Sequence, residues 1–208
     1  MSKKWILQTQ KGYDFFEVSS ACQKSIRRGL EKESCYWATE LYQSKFDGYL
    51  WKRLLIMVSE DIGLANPQLP QQMHALYENY KLLKSKKDDH AYLSTLHAVM
   101  LCVRSPKSRV VDWAKCYYID THNMHNLDIP DFALDIHTKR GKKMGKTIKH
   151  FFTEGSLLEN HEEQEQEKFY RDEVENLYCN MSVKELRDKQ NVTEVEGKIK
   201  SDEQKELF

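Results

Sequence analysis

Residues Gly141 to Thr147 read GKKMGKT, and a glycine, a lysine and a hydroxyl in that order are the ingredients of a loop that cradles phosphate. Such a loop needs four residues between its first glycine and the Gly-Lys-Thr, so that consecutive backbone N–H groups can curl around the anion; here there are three. It must also follow a buried strand, and the preceding DIHTKR is too polar to be one. Nucleotide binding is therefore not expected. Two other groups of residues have chemical potential. Glu60 and Asp61 form a carboxylate pair suited to metal or acid–base work, or to pairing with Arg53 or Arg104 and capping the next helix. His122, His125 and His137, with Asp128, Asp131 and Asp135, hold enough ligand types for a metal-dependent nuclease or phosphohydrolase, but their spacing gives no helical pair with a converging third ligand. No serine or cysteine stands in a nucleophile setting. No catalysis, metal or cofactor is expected.

The basic residues around the opening stretch suggest a different role. As a helix over 138–152, Met144, Ile148, Phe151 and Phe152 form an apolar side, and Gly141 and Gly145, four apart, admit a neighbouring backbone. Lys139, Arg140, Lys142, Lys143, Lys146 and Lys149 lie mainly on the remaining surface. Six cations with no acid among them suit the phosphate backbone of DNA, or pairing with an acidic segment of the same chain. From Glu154 to Phe208 there are 16 acidic and 8 basic residues, net −8; the total charge is zero, so the part before it carries net +8. An acidic appendage and a basic body are expected.

Those residues need elements to position them, and the sequence supplies helices. Val18, Cys22, Ile26 and Leu30 recur every four residues. Ser34 is placed to cap a helix carrying Trp37, Ala38, Leu41 and Tyr42, and Asp47 to cap GYLWKRLLIMVSED, which Gly63 would end. Pro67 opens a helix with Met73, Leu76, Tyr77, Tyr80 and Leu83 on one side; Asp88 or Asp89 opens the next, and Ser105 with Pro106 a further one. Leu54, Leu55, Met57, Val58 and Ile62 cover more than one face, as in a central buried helix. No stretch alternates like a strand, so the fold class is all-α. Residues 1–152 are read as a helical domain, 153–190 as a charged helical extension, and 191–208 as a disordered tail with too little apolar surface to order. Five scattered cysteines without a CxxC spacing, no signal-peptide core and no membrane-length apolar run predict a soluble cytoplasmic protein with reduced thiols.

Two strings, KRLLIMVSEDIGLANP (Lys52–Pro67) and RSPKSRVVDWA (Arg104–Ala114), resemble the C-terminal helical region of the replication-associated recombination ATPases, the clamp-loader-related family of bacterial RarA/MgsA and the eukaryotic Werner-interacting protein. YDFFEVSSACQKSIRRGLEKESCYWATELY (Tyr13–Tyr42) is similar too, so the resemblance covers about residues 12–116. It implies an all-helical oligomerisation region, a tetramer in that family, with ATP hydrolysis in a separate AAA+ module that has no counterpart in this sequence. It thus implies a non-enzymatic, oligomeric accessory protein of DNA replication, recombination or repair, or a regulator that co-assembles with a full-length ATPase. At the end of the chain QKELF resembles the bacterial sliding-clamp-binding peptide, with Gln204, Leu207 and Phe208 in the matching places and Lys205 where leucine is favoured. The Leu-Phe pair would fill an apolar pocket and the glutamine bond its rim.

Overall fold

The structure, a computed structural model, describes residues 7–179 together with 181, 185 and 188. The described residues are helical, with a single isolated β-bridge between Gln8 and Asp14 and no strand, as an all-α fold requires. None of their helices is long and apolar enough to cross a membrane, and all five cysteines are free. The chain divides into a compact unit ending at Asn126 and a second beginning at Leu127.

The first unit contains α1 (Phe15–Arg27), α2 (Glu31–Gln43), α3 (Asp47–Met57), α4 (Leu69–Ser85), α5 (Ala91–Arg104) and α6 (Val110–Thr121). Asp14 caps α1, its carboxylate accepting from the Phe16 and Glu17 N–H groups at 2.8 and 3.0 Å. Val18, Cys22 and Ile26 are buried as their spacing predicts, but Leu30 is 44% exposed. Gly29, at φ +71°, turns the chain first: its N–H bonds the Ile26 carbonyl and that of Leu30 the Ser25 carbonyl, a Schellman ending that takes Leu30 off the stripe. Lys45 and Lys87 end α2 and α4 in the same left-handed way, where a sequence reader looks for glycine.

Several helix starts differ from expectation for similarly local reasons. Ser34 lies inside α2, where its hydroxyl donates to the Leu30 carbonyl at 2.6 Å instead of capping. Asp47 is the first residue of α3 rather than its cap, and its carboxylate accepts from the Tyr80 hydroxyl and the Lys84 ammonium of α4. Burial works to raise the Asp47 pKa, but those two bonds outweigh it and hold the carboxyl below its ordinary value. Burial, aided by Asp47, pushes Tyr80 up to about 12. Pro70, not Pro67, occupies the first turn of α4, and His90 precedes α5 with its N–H on the Asp88 carboxylate at 2.8 Å. Ser105 closes α5 by donating to the Leu101 carbonyl at 2.7 Å rather than opening α6.

α1 pairs with α2 and α4 with α5, α2 joins the pairs through α5, and α3 crosses the interior. Leu50, Trp51, Leu54 and Met57 of α3 are almost fully buried, and the Trp51 indole N–H donates to the Thr95 hydroxyl at 3.1 Å. Leu55 is 39% exposed, so α3 is covered on fewer sides than its composition suggests. Beyond Met57 the helix widens into a π turn, Val58–Ile62, that buries Val58, Asp61 and Ile62. Gly63 ends it at φ +49° and ψ −127°, not the left-handed helical geometry but one that glycine reaches without strain. A Cβ there would lie 3.1 Å from Val111 Cγ2, so Gly63 also lets α6 come close.

The second unit holds α7 (Lys139–Lys143), α8 (Ile148–His150), a π turn at Phe151–Gly155 and α9 (Glu165–Cys179). The single helix expected over 138–152 is broken. Gly145, at φ +74°, ends the first piece, and Thr147 caps the second by accepting from the His150 N–H at 3.4 Å. Gly141 does admit a neighbouring backbone: a Cβ on it would lie 2.0 Å from the Asp135 carbonyl oxygen. Gly145 has open space and is there for its backbone angle.

Candidate assembly and nucleic-acid surfaces

The Glu60–Asp61 pair sits on the π turn, and its chemistry is taken up by cations. Asp61 is fully buried. Its Oδ2 accepts from Arg27 Nη2 at 3.2 Å, while Oδ1 lies 2.6 Å from Arg27 Nε, a close ion contact in which the N–H is not aligned on the oxygen. Arg109 Nε is 3.8 Å from the same oxygen. Glu60 accepts from Arg27 at 3.1 Å and from the Gln23 amide at 3.3 Å, with Arg109 at 3.5 Å and Arg53 at 4.0 Å. The sequence suggested Arg53 or Arg104 as partners; Arg53 is peripheral, and Arg104 pairs with Glu31 at 2.6 Å. The backbone is tied at the same point, where the Ser108 N–H donates to the Asp61 carbonyl at 3.0 Å. This is a clasp joining α1, the π turn and the start of α6.

The loop before α6 is fixed by Lys107, whose ammonium donates to the carbonyls of Cys102 and Val103, both at 2.8 Å, and of Ser105 at 2.5 Å. It thereby neutralises the negative end of α5, although burial pulls its pKa down. α6 itself buries no side chain. Val110 is 56% exposed, Trp113 64%, Tyr117 57% and Tyr118 69%. At helical spacing these four lie on one arc, and Asp112, which pairs with Arg109 and Lys115, lies on the other side. This apolar surface is the feature that sequence reasoning missed. The signal was present in VVDWAKCYYI, which is apolar on too wide an arc for a helix at the margin of a small domain.

In the second unit Lys139, Arg140, Lys142, Lys143 and Lys149 are exposed and make no ion pair among the described residues. Lys146 differs: its ammonium lies 2.5 Å from Asp131 and 2.9 Å from His150 Nε2. The Lys146 bond, then that of His150, holds the Asp131 carboxyl below its ordinary value. The phosphate-loop-like string is thus a helix end, a glycine turn and a helix cap. Asp135 is taken by His137 at 2.9 Å, and among the described residues no three His, Cys, Asp or Glu side chains gather as a metal site would require. Gln204, Leu207 and Phe208 lie outside the described residues.

These features define an all-helical chain of two units, the first exposing the apolar arc of α6 and the second the cations of α7 and α8. The family model described as "MgsA AAA+ ATPase C terminal" matches residues 32–194, so the chain belongs to that family. It is 28% identical over 137 residues to Replication-associated recombination protein A of Escherichia coli K12, covering 65% of this chain and 30% of that protein. The protein of the same name from Bacillus subtilis is 28% identical over 153 residues, covering 71% and 35%, and that from Coxiella burnetii 31% over 103 residues, covering 49% and 23%. The chain therefore spans about a third or less of the length of these relatives.

Replacing Arg27 by methionine leaves Asp61 buried with its nearer cation gone. Removing one partner of a buried pair costs about 3 kcal/mol or more. Urea unfolding is expected to show that loss, and a change within 0.5 kcal/mol would mean that Arg109 alone suffices.

Proposed function

We propose that this domain is a non-enzymatic assembly module in DNA replication or recombination, whose copies associate through α6. The observation that carries this reading is the uncovered arc of Val110, Trp113, Tyr117 and Tyr118 on a helix in which no residue is fully buried. Aromatic side chains bury about 150–250 Å² each, so at these exposures the arc offers roughly 500 Å² per copy. That is over half of the ~800 Å² that one partner contributes to a standard interface. Asp112, on the other side of the helix, is paired with Arg109 and Lys115, while the exposed carboxylate of Asp120 shares the arc with Trp113 and Tyr117 and repels a polyanion, which favours a protein surface over a nucleic acid. The tetramer of the resembling family sets the expected number of copies. Sedimentation equilibrium is expected to show self-association that Trp113→Ala with Tyr117→Ala abolishes while the far-ultraviolet dichroism stays helical. A wild-type monomer at tens of micromolar would rule this reading out.

DNA is contacted, in this reading, by the exposed cations Lys139, Arg140, Lys142, Lys143 and Lys149. Each phosphate contact contributes about −0.9 to the log–log slope of affinity against salt on duplex DNA. Lys142→Ala with Lys143→Ala is expected to reduce the slope by about 2 by that rule. Lys146→Ala, removing a lysine already held by Asp131, is expected to change it little. Equal effects of Lys142, Lys143 and Lys146 would remove the distinction, and a flat salt dependence the whole DNA contact.

The sliding clamp is the partner proposed for Gln204, Leu207 and Phe208, on their side-chain chemistry alone. Leu207→Ala with Phe208→Ala is expected to abolish binding to the purified clamp; undiminished binding would place the contact elsewhere. The alternative, a regulator that joins a complete ATPase, is favoured by one fact: the region matched to the family, residues 32–194, contains α6, the helix through which such a co-assembly would form. Mixed oligomers of the two chains on native mass spectrometry distinguish it.

A further inference from the structure

Arg109 belongs to two structures at once. It immediately precedes α6, and its guanidinium edge meets carboxylates: Nη2 donates to Asp112 and lies 3.5 Å from Glu60, and Nε lies 3.8 Å from buried Asp61. Its face meets an aromatic ring, with Cζ 5.1 Å from the centroid of Trp113 one turn along. Among the described residues no other ring or cation stacks on Trp113. A planar guanidinium can bond carboxylates in its plane while stacking on a ring above it; an ammonium has no such plane.

We propose that Arg109 is a positioning residue for the α6 assembly face, fixing the Trp113 indole against the Glu60–Asp61 clasp so that it meets a second copy already oriented. The inference rests on the α6 reading and adds to it a specific cause for the orientation of its largest side chain. An indole ordered before association loses less freedom on binding. The core carboxylates thereby act on the surface through a single side chain. Lysine at 109 would keep the charge and lose the stack.

The test is a double-mutant cycle in the full chain, read by sedimentation equilibrium, with urea unfolding of each variant at a concentration where it is monomeric. Arg109→Met is expected to weaken association at least five-fold, and Arg109→Lys to recover less than half of that loss on the logarithmic scale. In a Trp113→Ala background Arg109→Met is expected to weaken association less than two-fold, because the side chain it positions is gone. An equal loss in both backgrounds, or recovery to wild-type association by lysine, would show that Arg109 acts on the fold or through charge alone, overturning the proposal. Wild-type association by Arg109→Met would overturn it and leave the α6 face standing. A wild-type protein that does not associate would overturn both.

Discussion

A carboxylate with no water around it, that of Asp61, is the constraint on which the rest of the first unit depends. An ionised group in that position is tolerated only with cations and hydrogen bonds in fixed places. Arg27 comes from the last turn of α1, and Arg109 from the residue preceding α6, so neither helix can shift without uncovering the charge. The same demand explains why α3 does not run on regularly. The π turn at Val58–Ile62 carries Glu60 and Asp61 into reach of both arginines while Val58 and Ile62 stay in the core. Gly63 then lets α6 lie close enough for the Ser108 N–H to reach the Asp61 carbonyl.

Charge is handled differently in the two units. Around α6 the cations Arg109 and Lys115 are matched by Asp112, and what remains exposed is apolar and aromatic apart from the acidic Asp120. Around α7 and α8 Lys146 is matched by Asp131, and five cations make no ion pair among the described residues. A mainly apolar surface without a free cation suits a protein partner, which must exclude water. A bare basic one suits a polyanion, whose binding is driven by released counterions. The proposed division of labour between assembly and nucleic acid follows from this contrast.

Helices α1 to α5 were legible because they bury side chains that recur at helical spacing, as Val18, Cys22 and Ile26 do. Their ends were not. Ser34 spends its hydroxyl inside its helix and Ser105 closes one helix instead of opening the next, so residue type alone misplaced those boundaries. The clasp was half legible: the carboxylates were evident and a structural role foreseen, but Arg27 and Arg109 are distant in sequence and only the fold selects them over Arg53 and Arg104. Around the basic stretch, composition gave the charges, while Gly145 broke the expected helix and Asp131 withdrew Lys146. The α6 surface escaped because apolar spacing says that a helix has a face to bury without saying whether the same chain supplies the cover.

The clasp also bears on the order in which the unit can form. The α1–α2 and α4–α5 hairpins join neighbours in sequence, so their loop-closure entropy is small and they can form early. Arg27, Asp61 and Arg109 come from three well-separated parts of the chain and can meet only when both hairpins have docked on α3. Until then Asp61 is a hydrated anion with little reason to leave water, so the clasp is a late contact. Late contacts slow escape from the native state more than they speed arrival. What the buried carboxylate gives this protein is thus chiefly persistence: a folded lifetime set by the breaking of one charged knot.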